Sequence, residues 1–156
     1  MKKTICALVL IALGACSSPA SQQVGDLHVS EVWSKATPPN APVAGGFLTL
    51  DNRGDTPDRL LRVESAAAQR VELHEMGHVD GVARMRELEQ GLPLPARQIT
   101  TLKPGGYHLM FIQPTQPFVE GGSVPATLVF EKAGRLPVLF QVRSMTAGAQ
   151  GTAPHH

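Results

Sequence analysis

Cysteine is nearly missing from this sequence. The two it has, Cys6 and Cys16, both lie near the start, so the rest of the chain can form no disulfide and offers no thiolate. Aromatic residues are scarce, with five Phe, one Tyr and one Trp. Neither sign of charge dominates: 14 Lys and Arg stand against 13 Asp and Glu, scattered along the chain, for a formal charge of +1. That excludes the basic patch a nucleic-acid partner needs. No G-x-S-x-G elbow is present, and no cysteine beyond residue 16 could serve as the nucleophile of a hydrolase. No stretch keeps a helical period, no segment repeats, and the apolar run Thr4 to Leu13 is too short to span ~30 Å of hydrocarbon as a helix.

That apolar run has a different meaning. Lys2 and Lys3 precede it, and Leu13-Gly14-Ala15-Cys16 follows, which has the form of a lipoprotein signal-peptidase box. Residues 1–15 are therefore expected to be removed as a signal peptide, leaving Cys16 as a lipidated N-terminus. Residues 16–26, small and polar, would be a flexible tether to a domain at 27–143. Ser17 stands where an inner-membrane retention signal would resemble Asp, so a periplasm-facing anchor in the outer membrane is expected rather than one in the inner membrane. Residues 144–156 (SMTAGAQGTAPHH) are again small and polar and read as a disordered tail.

Glycine and proline, at 15 and 13, are plentiful, and they punctuate runs rich in Val, Leu and Thr. About nine short strands emerge: from Leu27, Gly46, Arg59, Arg70, Val82, Gln98, Tyr107, Ser123 and Leu136, with turn residues every eight to twelve positions. KATPPNAPV (35–43) and GLPLPAR (91–97) read as proline-rich loops, and Val79-Asp80-Gly81 as a hairpin turn. The pattern is all-β, an antiparallel sandwich or barrel.

The chemistry-bearing residues cluster. His74, Met76 and His78 end one strand, Met85 lies just across the hairpin, and His108-Leu109-Met110 lies on a third strand. Alternate strand residues share a face, so His108 and Met110 stand about 6.6 Å apart on one side while Tyr107, Leu109 and Phe111 take the other. Imidazole with thioether, and no thiolate, is a soft neutral donor set that suits Cu(I) better than Zn(II), Mg(II) or Ca(II). A blue-copper electron carrier needs a cysteine that this domain lacks. Glu72, Glu75 and Glu87 lie nearby and read as solvated strand faces.

The spacing of His74, Met85 and His108-x-Met110 resembles the motif of the periplasmic copper chaperones of the PCuAC type. The segments WSKATPPNAPVAGGFLTLDN, VELHEM, LPLPA, LKPGGYHLMFI and LVFEKAG match as well, so the likeness runs from about Leu27 to Val142. It implies a cupredoxin-like Greek-key domain, with no enzymatic activity, that binds one Cu(I) through His74, Met85, His108 and Met110. It also implies delivery to the copper A centre of cytochrome c oxidase, through an oxidase subunit or its assembly factors. Some relatives carry Met directly after the first His, where this chain has Glu75, so Met76 and His78 are auxiliary candidates. His155 and His156 resemble metal-binding tails of other relatives and are candidates for Cu(II). The competing readings are a copper-dependent redox enzyme, a copper storage or detoxification lipoprotein, and an adhesion lipoprotein without metal.

Replacing the lipid attachment site tests the anchor. Cys16→Ala should move the protein out of the membrane fraction or leave an unprocessed precursor, read by fractionation and intact mass. Soluble, normally processed protein from the unmutated gene would show the box to be accidental.

Overall fold

Alternation of buried and exposed positions along strands such as His108–Pro114 and Arg135–Arg143 sets which face turns to the core. The computed structural model describes residues 21–149, which fold without any helix into eleven strands. These are β1 (Gln22–Val24), β2 (Leu27–Lys35), β3 (Val43–Asn52), β4 (Asp58–Glu64), β5 (Ala68–Val79) and β6 (Val82–Glu87). They continue as β7 (Leu92–Leu94), β8 (Ile99–Leu102), β9 (His108–Pro114), β10 (Ser123–Phe130) and β11 (Arg135–Arg143). In β11, Val138, Phe140 and Val142 are buried between exposed neighbours, and in β9 Leu109 and Phe111 are wholly buried. Period-two patterning of this kind fixes which face turns inward.

Seven strands close on themselves in the order β2-β11-β10-β4-β5-β9-β3, and β3 pairs back to β2. Every seam is antiparallel except β11 with β2, where Gln141 to Arg143 run parallel to Trp33 to Lys35. Closure removes the exposed edges that an open sheet would present. Phe111 is the hub of the interior, edge-on to Phe118 at 5.3 Å and to Phe140 at 5.4 Å between ring centroids. Trp33 caps one end, packed on Phe47 and covered by the Arg143 guanidinium 4.9 Å from its ring. The expected all-β, cupredoxin-like barrel is what the chain forms, with no cystine among the described residues to brace it.

Four strands lie off the ring. β1 pairs β2, β7 pairs β4, β8 pairs β3, and β6 pairs only β5. The β5–β6 turn has Asp80 and Gly81 both at positive φ, 51° and 76°, as a two-residue hairpin with strand-like twist demands. The hairpin thus extends beyond the barrel wall, and all six residues of β6 are exposed.

Three expectations change. The tether is ordered by Gln22, because Gln22 to Val24 pair with Leu27 to Val29 and Val24 packs on the core. Within 91–97 a short strand forms: Leu92 and Leu94 are buried, while Pro93 sits exposed on an edge strand that can spare its missing N–H. Asn52 helps hold it, donating from Nδ2 to the Leu94 carbonyl at 3.0 Å. The tail begins with structure as well. Ala147 and Ala149 N–H groups bond the Ser144 and Thr146 carbonyls, and Gly148 lies against Trp33 and Pro104. The expected signal peptide at 1–15, Cys16, and the tail from residue 150, with His155 and His156, lie outside the described residues.

One glycine sets how closely the HxM strand can approach. Gly46 stands opposite Leu109, and a Cβ there would come 2.7 Å from Phe111 Cε2 and 3.3 Å from Leu109 Cβ. Gly46→Ala is therefore expected to cost ~1–3 kcal/mol, the usual range for overpacking a core, and to lower the urea midpoint accordingly. An unchanged midpoint would mean the Phe111 ring steps aside freely.

Candidate metal centre

Three strands place the candidate donors on one face. In the β5–β9 ladder His74 stands opposite His108, and Glu72 opposite Met110. In the β5–β6 ladder His74 stands opposite Glu87, Met76 opposite Met85, and His78 opposite Ala83. Opposed residues in a ladder share a face, so all of these project to the same side, away from Leu73 and Leu109 in the core. β5 is the middle strand, and side chains from β6 and β9 lean over it to meet. His108 Nε2 and Met85 Sδ come within 3.2 Å, and the rings of His74 and His108 lie 5.7 Å apart, tilted by 32°.

Hydrogen bonding decides which nitrogens are free. His108 Nδ1 lies 2.9 Å from the Gly106 carbonyl oxygen, which can only accept, so Nδ1 carries the proton. In the neutral ring Nε2 is then a bare lone pair, and the thioether it faces has no proton to share. Two electron-pair donors therefore point at each other with nothing between them. Metal–imidazole bonds of about 2.0 Å and metal–sulfur bonds of about 2.3 Å put such atoms ~3.5 Å apart around a tetrahedral ion. The observed 3.2 Å is within a few tenths of that.

His74 is held the other way round. Its Nε2 lies 2.9 Å from Glu72 Oε2, so Nε2–H donates to the carboxylate. Its Nδ1 is buried and has no partner among the described residues. A buried, unpartnered lone pair is costly unless something binds it. Glu72 is itself mostly buried, with 14% of its side chain exposed, and takes Arg70 Nε on its other oxygen at 2.6 Å. The bond from His74 draws the Glu72 carboxyl below its ordinary value, burial opposes that shift, and Arg70 adds to the lowering. Glu72 is thus an ionised acceptor at neutral pH, the carboxylate–histidine arrangement that orients metal-binding rings. Its contribution to stability is present above the unfolded value and lost as pH falls through the lowered folded one.

The expected residues therefore separate. His74, Met85 and His108 converge, and Met110 follows His108 on the same face one step further along β9. Met76 lies beside Met85, half-buried, and His78 is exposed nearer the hairpin tip. His28 is remote, opposite Asp51 in the β2–β3 ladder. Glu72 is the residue that sequence reasoning passed over as a solvated position. Its signal was the i, i+2 spacing to His74, which puts both on one face. Glu75 bonds Arg86 at 2.7 Å, as a surface carboxylate would. Glu87 lies close enough that Glu72, His74 and Glu87 offer donor atoms within 4.8 Å of one another. That harder set is already committed in part, since the His74–Glu72 contact holds a proton.

The two imidazoles should consequently occupy opposite tautomers in the metal-free protein. Long-range 1H–15N correlation at neutral pH is expected to report Nε2–H for His74 and Nδ1–H for His108, and Glu72→Gln should loosen the first alone. The reverse assignment would remove the lone pairs from the positions described.

The family model "Putative lipoprotein LpqE-like" matches residues 27–142. A relative from Leifsonia xyli subsp. xyli, "Putative lipoprotein Lxx21020", is 29% identical over 153 residues, spanning 94% of this chain and 91% of its own. The copper-bound PCuAC domain from PmoF2 superimposes with a TM-score of 0.67 at 26% identity, covering 80% of this chain and 98% of that domain. The solution structure of CuI-DR1885 from Deinococcus radiodurans does so at 0.63 and 25%, covering 83% and 84%. The PCuAC likeness read from the motif is thus matched by the fold. With its model running from the start of β2 to the end of β11, the chain belongs to the LpqE-like lipoprotein family.

Proposed function

We propose that this protein is a copper chaperone of the bacterial envelope, not an enzyme. It carries one Cu(I) as cargo between His74, Met85, His108 and Met110. The observation that carries the reading is the facing pair of lone pairs, His108 Nε2 and Met85 Sδ at 3.2 Å, beside the unpartnered Nδ1 of His74. Two imidazoles and two thioethers are neutral and soft, which favours a monovalent soft ion. The copper-bound and Cu(I)-bound relatives of the same fold support the choice of metal. The lipoprotein family supports an envelope location, and Cys16 is the proposed anchor, outer membrane rather than inner.

Delivery to the copper A centre of cytochrome c oxidase, directly or through an assembly factor, is the proposed destination. Met85 is 52% exposed, so the cargo would sit at the surface where a receiving protein can reach it. That suits a carrier better than a store or a redox enzyme with an enclosed substrate cleft.

Titration of the full protein with Cu(I) against a Cu(I)-specific chelator should reach a sharp endpoint at one equivalent. His108→Ala and Met110→Leu should weaken binding by more than the ~10–100-fold of changes to supporting residues, without unfolding. Because thioethers do not titrate and ligating imidazoles must be deprotonated, affinity should fall with acid at a limiting slope of about two per pH unit. Removing residues 144–156 should leave that slope unchanged. No competition with the chelator would end the chaperone reading, and a flat profile would remove the histidines from the site.

A further inference from the structure

The donor face continues past the four proposed ligands. Met76 is opposite Met85 in the ladder, and opposed side chains have Cβ atoms about 4.5–5.5 Å apart. His78 follows two residues on, about 6.6 Å along the same face. Exposure rises along this line: Met76 is half-buried and His78 exposed, next to the turn at Asp80 and Gly81. The His78 ring has no hydrogen-bond partner among the described residues. The hairpin projects beyond the barrel wall because β6 pairs with β5 alone.

We infer that Met76 and His78 form an outer Cu(I) station that shares Met85 with the inner site and serves as the route of transfer. This rests on the chaperone reading and deepens it. The step is a ligand exchange: a Met76 sulfur–copper bond forms as the copper bond to Met110 breaks, with Met85 bound throughout. His78 nitrogen then replaces the next inner imidazole. Copper stays Cu(I), and no proton moves, because thioether and neutral imidazole enter and leave with their own electron pairs. Losing four donors at once would require the bare ion in water, so a chain of exchanges along one strand is the easier path. A receiving protein with soft donors would meet the ion at the hairpin tip, where Val79 and Val82 are exposed on the opposite face as apolar contact surface.

The test separates rate from affinity in the full-length protein loaded with one Cu(I), using bicinchoninate as the acceptor. Met76→Leu and His78→Ala should slow copper withdrawal by about tenfold or more, since each removes a donor held at high effective concentration. Their equilibrium competition endpoints should stay within about threefold of the parent, against the far larger loss expected of Met110→Leu. Neither residue is in the core, so thermal melting should match the parent and confirm the fold. Unchanged withdrawal rates with normal one-equivalent binding would overturn the outer station alone. So would a Met76→Leu affinity loss equal to that of Met110→Leu, which would make Met76 an inner ligand. Failure of the parent protein to bind any Cu(I) would instead overturn the chaperone reading beneath it.

Discussion

The Gly106 carbonyl governs the site. By accepting the His108 Nδ1 proton it fixes which nitrogen of that ring bears the lone pair, and it also accepts the Met76 backbone N–H at 3.2 Å. One carbonyl thus ties the start of β9 to β5 and orients the imidazole toward β6. Rotating the His108 ring would break this bond and take the Nε2 lone pair away from Met85 Sδ. The Glu72 carboxylate performs the corresponding task for His74 with the opposite nitrogen. Two rings in opposite tautomers, each fixed from outside, leave two lone pairs that no donor among the described residues satisfies.

Such fixation needs a frame that does not yield, and the barrel supplies it without cystine. Leu109 and Phe111 anchor β9 from below, alternating with His108 and Met110 above. Close packing around Phe111 means a shift of β9 must displace Phe118 and Phe140 as well. The β5–β6 hairpin lacks this support, since none of β6 is buried. Met85 is therefore the donor with the most freedom, while His74, His108 and Met110 ride on barrel strands. Under the proposed reading, three donors would stand on barrel strands and the fourth on the exposed hairpin, free to follow the ion.

Much of this was legible in the sequence, for reasons that differ by element. The faces of β9 followed from period-two alternation, and the β5–β6 hairpin from Asp80-Gly81, because both signals are local. β1 was missed because Gln22 and Gln23 look like tether; their pairing with β2 depends on backbone bonds that carry no side-chain signature. β7 was missed because Pro93 argues against a strand, and only its edge position excuses it. The parallel β11–β2 seam that closes the barrel joins residues more than a hundred positions apart, and no local pattern announces it. At the site, the HxM pair could be placed on one face from spacing alone. That Met85 would reach across β5 to His108 could not, since it depends on how two ladders share the same central strand.

Glu72 shows the limit most clearly, because its meaning depends on the charge of what the site holds. Under the proposed reading the four donors are neutral, so a bound Cu(I) would bring an uncompensated positive charge onto a partly buried face. Such a charge is costly unless paired. The ionised Glu72 carboxylate, one imidazole away from the ion, is a nearby counter-charge, and copper bound at Nδ1 would strengthen the Nε2–H bond to it. Arg70 on its second oxygen tempers that negative charge. A carboxylate attracts a divalent ion more strongly than a monovalent one, so Glu72 orients His74 and offsets charge, while the preference for a soft monovalent ion rests on the thioethers. A strand sequence of VELH carries all of this in two side chains on one face. Only the second was visible as chemistry until its partner was seen to be mostly buried and bonded to it.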